Sequence, residues 1–89
     1  MDLRTLERQL REEGFRRVYA WQDSPHACYP DHTHAVDTAH IILDGEMTLT
    51  CGGVTTTYRA GDRPPDVPAG AVHSARMGPD GCRYLIGEK

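Results

Sequence analysis

Five histidines, His26, His32, His34, His40 and His73, are the residues of this 89-residue chain best suited to chemistry. Imidazole is a neutral nitrogen ligand for transition metals and the side chain whose charge changes near neutral pH, so spacing decides what several of them can do together. His32 and His34 are two apart. On a strand such a pair shares one face with Cα atoms about 6.6 Å apart. Both rings can then reach one ion lying about 2.0–2.1 Å from each nitrogen. His40 shares that parity but would lie about 20 Å further along an unbroken strand, so it converges only if the chain bends. His73 follows the turn-forming Pro68-Ala69-Gly70 and opens a later β segment, from which it can complete the cluster. On spacing alone, the alternatives are a metal cluster and a set of polar histidines on a solvated strand face.

No Ser-His-Asp order, glycine-rich phosphate loop or nucleophile elbow can be picked out elsewhere. Cys28, Cys51 and Cys82 are odd in number and widely spaced, without a C-x-x-C pair, and read as reduced thiols in or near the core. Cys28, four residues before His32 and on matching parity, is the thiol placed to act as a soft ligand. Arg76, three residues after His73, is either an anion-binding group or a solvated charge. Tyr19, Trp21, Tyr29, Tyr58 and Tyr84 read as core and rim packing.

The elements that must position these residues are short. Leu3, Leu6 and Leu10 recur at helical spacing, Asp2 can cap the start and Gly14 supplies a stop, which predicts one amphipathic helix within residues 1–14. A helix this short is not stable alone, so its leucine stripe must cover an open end of the domain or a partner subunit. Residues 15–89 are β in pattern. Runs at Val18–Trp21, Ala39–Leu43, Met47–Cys51, Val54–Tyr58, Ala71–Ala75 and Cys82–Ile86 are separated by turn signals such as Asp44-Gly45, Gly52-Gly53 and Gly78-Pro79-Asp80-Gly81. Many short strands at this spacing predict a β-sandwich or barrel, here as one domain with the helix.

Composition narrows the partners. Ten basic against thirteen acidic residues give a formal charge of −3, and no Lys or Arg run marks a phosphate-backbone partner such as DNA or RNA. No apolar run approaches the roughly 20 residues of a membrane span, and the charged N-terminus is unlike a signal peptide, so a cytoplasmic protein is expected. A chain of this length buries only around 60–65% of its unfolded surface, which favours a homodimer or a bound metal as reinforcement.

The stretch His32–Gly45, HTHAVDTAHIILDG, resembles the first motif of the cupin superfamily, and Pro68–His73, PAGAVH, resembles the second. Gly61-Asp62 sits where cupins have a glycine-aspartate turn, and the resemblance runs from about Tyr29 to Ile86. It implies an all-β, cupin-type β-barrel (a double-stranded β-helix or jelly roll), here with one short N-terminal helix. Both motifs would line one pocket that often holds a single metal, and dimers would be common. Position by position, His32, His34 and His73 match the metal-ligating histidines, Gly45 the turn glycine, and Pro68 and Gly70 the proline and glycine of the second motif. Four features depart from the pattern. Thr38 stands at the ligating glutamate, with Asp37 one residue earlier on the opposite strand face; His26 replaces the first glycine; the second motif is one residue longer before Pro68; and Met77 replaces the final asparagine.

Three neutral imidazoles without a carboxylate suit zinc, iron, nickel, copper or manganese rather than magnesium or calcium, and leave positions open for water or substrate. His40 is then a fourth nitrogen ligand, a hydrogen-bonding group for substrate, or a polar contact at the mouth, and Thr38 can hydrogen-bond a water on the ion. Two functions are expected to compete. One is a metal-dependent dioxygenase or isomerase of a small organic substrate, with Thr38 and His40 as candidate catalytic residues and Thr38, His40 and Arg76 beside the substrate. The other is a sensor-like, non-enzymatic small-molecule-binding cupin with a metal-free pocket.

Overall fold

A computed structural model describes residues 2–89. The helix α1 spans Leu3–Glu12; the Asp2 carboxylate accepts from the Arg4 amide and the Thr5 hydroxyl at its start, and Gly14, at φ +99°, follows its end. Leu10 is fully buried among Phe15, Ala39, Ile41 and Leu85, with Leu3 and Leu6 packed at the margin. The leucine stripe therefore packs on the outer face of its own sheet, with Leu10 fully covered there. Arg63 fastens the far end of α1 through two hydrogen bonds of 2.9 and 2.8 Å to the Glu13 carboxylate.

Five strands follow: β1 (Arg17–Asp23), β2 (Cys28–His32), β3 (Thr38–Cys51), β4 (Val54–Arg59) and β5 (His73–Glu88). They form one antiparallel sheet in the order β1-β5-β3-β4, with β2 paired to the first part of β5 and β1 to the second. The sheet takes the expected barrel-like form but is not closed. β4 pairs only with β3, and β5 divides one edge between β2 and β1, so no strand is left to join the two ends.

Two expected turns are corners inside continuous strands. At Asp44-Gly45 the register of β3 shifts on either side of the pair, and at Gly78–Gly81 four residues of β5 stand opposite Glu46 alone. Such bulges bend a strand and change which face its side chains take. Along β3, His40 and Ile42 face inward before the corner, and Met47 and Leu49 after it; along β5, His73, Ala75 and Met77 give way to Tyr84 and Ile86. Gly45 and Gly81 both hold positive φ, +78° and +77°, and a Cβ on Gly45 would collide with the Gly81 carbonyl oxygen. Gly52-Gly53 is a true two-residue hairpin, with both φ positive as such turns require. The inward side chains enclose a core of Ile42, Met47, Leu49, Met77, Cys82 and Tyr84 beneath a cavity; the outward ones of β3 and β5 pack under α1.

Candidate metal centre

His32 closes β2, His73 opens β5, and the two are direct partners in the antiparallel register. His34 lies two residues beyond the strand, in the loop leading to β3. That loop is held from the other motif. The Gly70 amide donates to the His34 carbonyl at 2.9 Å, within a turn closed by Ala71 N–H to the Pro68 carbonyl, with Gly70 at φ +80°. Asp37 accepts from the Ala69 amide at 2.8 Å, so its carboxylate clamps the two motifs together and, as its parity implies, is not in the cavity. The result brings three imidazoles together, with ring centroids 4.2 Å (His32–His73), 4.8 Å (His34–His73) and 5.0 Å (His32–His34) apart.

The ligating nitrogens of the three lie within 4.8 Å of one another. His32 Nδ1 is 2.7 Å from the Pro30 carbonyl oxygen and His73 Nδ1 is 3.0 Å from that of Ala71. A carbonyl only accepts, so each Nδ1 carries the proton and each Nε2 presents a lone pair, the arrangement metal-ligating histidines adopt. Partial burial, with His73 and His32 as neighbours, pulls the His34 pKa below its ordinary value and keeps that ring neutral. Neutral, lone-pair-bearing imidazoles are what a borderline transition ion needs, so the donor set fits such an ion.

The cluster borders a cavity of about 280 Å³ that Thr38 and His40 also line. Thr38 is 1% exposed and donates its hydroxyl to the Val36 carbonyl at 3.2 Å. His40 is 7% exposed and stands outside the three-histidine group, so a fourth nitrogen ligand is not assembled. Burial, helped by His34 and His73, pushes its pKa down to about 4. Its Nδ1 is the one sealed side-chain polar atom without a hydrogen-bond partner among the described residues, a situation that costs about 1–3 kcal/mol.

Arg76 is not beside the ligand space. It is exposed and alternates with the cavity-lining Ala75 and Met77, an odd number of residues from His73 and thus on the opposite face of β5. Cys28 is exposed, its thiol directed at the His26 carbonyl, and is not part of the cluster. His26 is exposed with φ +60°, the left-handed conformation that a glycine in this position of the motif would adopt without strain.

One polar group behind the cavity wall, bonded to three of the lining residues, is not apparent from the sequence. Asp23, 8% exposed, accepts from Tyr29 Oη at 2.6 Å, Tyr84 Oη at 2.7 Å and Trp21 Nε1 at 3.1 Å. The carboxylate raises the Tyr29 pKa, and burial followed by the same carboxylate raises that of Tyr84, so both phenols keep their protons. Trp21 and Asp23, two apart on β1, were the available signal; the tyrosines come from other strands. Glu88 is committed in the same way, accepting from Tyr19 Oη at 3.3 Å with Arg17 at 3.7 Å.

No protein-family profile matches the sequence, and no curated protein matches it closely. Solved structures do match in three dimensions. A Rhizobium leguminosarum protein superposes with a TM-score of 0.74 at 22% identity, over 80% of this chain and 66% of its own. An RmlC-like cupin from Shewanella frigidimarina gives 0.71 at 22% identity, over 80% of this chain and 62% of its own. A cupin superfamily protein from Desulfitobacterium hafniense gives 0.67 at 17% identity, over 82% and 77%. The present chain thus spans a little under two thirds of the first two. Its fold is of the cupin type, the double-stranded β-helix class, carrying a three-histidine cluster spaced for a metal.

Proposed function

We propose that the protein is a metal-binding cupin in which His32, His34 and His73 hold one divalent transition ion (zinc, iron, nickel, copper or manganese) and the adjoining cavity admits a small organic ligand. The reading rests chiefly on the two Nδ1–H donations to backbone carbonyls, which leave Nε2 lone pairs in a cluster no wider than 4.8 Å. Bound there, an ion would supply Lewis acidity to a ligand oxygen, the chemistry of an isomerase, and a redox-active one such as iron would also supply electrons to dioxygen, the chemistry of a dioxygenase. The chain's own residues hold the His32 and His73 imidazoles in one tautomer and exclude water through Met47, Met77 and Ile86. A cytoplasmic setting belongs to the same proposal; all three cysteines are free, as a reducing compartment keeps them. No helix among the described residues is long and apolar enough to cross a membrane.

Metal analysis of protein purified without a histidine tag tests the reading. About one equivalent of ion is expected, with loss in His32→Ala and in His73→Ala; an ion that survives both substitutions, or its absence from the unsubstituted protein, counts against it.

The commitment of Glu88, the carboxylate that lines the cavity among the described residues, to Tyr19 and Arg17 favours a second reading, because it leaves no unengaged carboxylate there to transfer protons. In that case the chain is a non-enzymatic, sensor-like small-molecule binder. A thermal-shift screen of chelator-treated protein with small acids, sugars and phenols separates the two, since the sensor responds to a ligand with no metal present.

A further inference from the structure

His40 is a cavity residue whose polar atoms the protein leaves unanswered. Nδ1 is sealed and has neither donor nor acceptor near it, while Nε2 makes no hydrogen bond among the described residues yet is not sealed. A neutral imidazole carries one proton, and that proton resides where a partner can reach it, so His40 presents Nε2–H to the cavity. This is the opposite of His32 and His73, which show lone pairs at Nε2. The cavity thus has two acceptor nitrogens, those of His32 and His73, grouped on one wall beside His34, and a separate imidazole donor.

Nothing among the described residues accepts that donor. Asp23 is occupied by three donors and Glu88 by Tyr19 and Arg17, so the acceptor must arrive with a ligand. The three histidines bring no negative charge, and Thr38 stands where a carboxylate would have offset an ion, so a divalent ion held there would keep its full positive charge and favour an anionic oxygen. Met47, Met77 and Ile86 line the same space, which suits an apolar body, and about 280 Å³ limits it to a small one.

We propose that His40 is the ligand-recognition donor of this cavity, giving Nε2–H to a carboxylate or enolate oxygen of a small organic anion whose charge also faces the histidine cluster. The assignment rests on the metal-binding reading of the same cavity, but its test does not require that reading to succeed. Benzoate is the probe, titrated calorimetrically into zinc-loaded protein, His40→Leu and His40→Gln, with zinc affinity measured in parallel. Removing the donor in His40→Leu is expected to weaken benzoate at least about tenfold, the size of one hydrogen bond to a charged acceptor, while His40→Gln retains most of the affinity. Zinc affinity is expected to stay within about twofold across all three, as for residues outside the ligand set.

Equal benzoate affinity in the protein and His40→Leu overturns the assignment, as does no binding of benzoate to the unsubstituted protein. A loss of zinc affinity in His40→Leu also overturns it, by making His40 a ligand. If the unsubstituted protein takes up no zinc, the metal reading fails alone and the benzoate series is read on metal-free protein. Ring-¹⁵N-labelled protein supplies a measurement that needs no variant. The Nε2–H form is expected for His40, with its proton signal moving on benzoate addition; an Nδ1–H form overturns the proposal.

Discussion

The charge state of His40 links the cavity to the stability of the whole chain. Its pKa is about 4 in the fold against an ordinary 6.5. Above pH 6.5 the ring is neutral folded or unfolded and contributes nothing to the pH dependence. Between about 6.5 and 4 the unfolded chain takes up a proton that the folded one refuses, so stability falls as the solution is acidified, and below about 4 the loss levels off. The full span is worth about 3 kcal/mol at most, and His34, shifted the same way, adds to it. Chemical denaturation at pH 7 and pH 4.5 is expected to show the fall in the native sequence and a shallower one in His40→Gln; parallel pH profiles would remove His40 as the cause. At this scale the site was largely legible beforehand, because the types and order of His32, His34 and His73 encode the cluster directly. Arg76 was misplaced although its odd offset from His73 already put it on the other face. The Asp23 network escaped because its tyrosines, Tyr29 and Tyr84, come to it from 6 and 61 residues away.

Among the elements, the two corners decide how well the strands serve the site. Sequence reading found the glycines at Asp44-Gly45 and Gly78–Gly81 but took them for chain reversals, since positive φ serves a tight turn and a bulge equally. The partner strand, which the local sequence does not contain, decides between them. Gly45→Ala combines a strained φ with a collision against the Gly81 carbonyl, whereas Gly52→Ala, at φ +59°, meets nothing within 4 Å. Thermal melts are therefore expected to show the first costing about 2–4 kcal/mol and the second about 1 kcal/mol; equal losses would mean that close packing at the corner is unimportant. Leu10→Ala empties a fully buried position under α1 and is expected to cost about 2–5 kcal/mol while leaving zinc affinity unchanged, because the helix packs on the face away from the cavity.

For the molecule as a whole, a small core makes bound metal an appreciable part of stability. At a free concentration 100 times its dissociation constant, a ligand of the native state adds about 2.7 kcal/mol. In a domain this size that is a rise of about 10–20 °C in melting temperature. Zinc titration followed by differential scanning calorimetry is expected to show a rise of this order in the native sequence and none in His73→Ala. Self-association is expected along an open sheet edge, since Leu10 of the leucine stripe is already buried within its own chain. β1 and β4 each pair on one side only, and Trp21 on the first is 51% exposed and Val54 on the second 66%. Sedimentation should give twice the 9.9 kDa chain mass, reduced by Trp21→Lys if β1 is the seam; a monomer at every concentration would reject the dimer.

The corner at Gly78–Gly81 behaves like a reading frame. Upstream of it β5 delivers His73 to the metal wall, and downstream it delivers Tyr84, Ile86 and Glu88 to the ligand space while Leu85 goes to the helix side. Deleting one residue from those four would leave His73 in place yet put Leu85, Gly87 and Lys89 where Tyr84, Ile86 and Glu88 stood, removing Tyr84 and Glu88 from the cavity and Leu85 from beneath α1 in one step. The loop's length, more than its composition, is therefore what descent can least afford to change, and variants of this fold with altered ligand preference should substitute residues downstream of the corner while keeping the count across it.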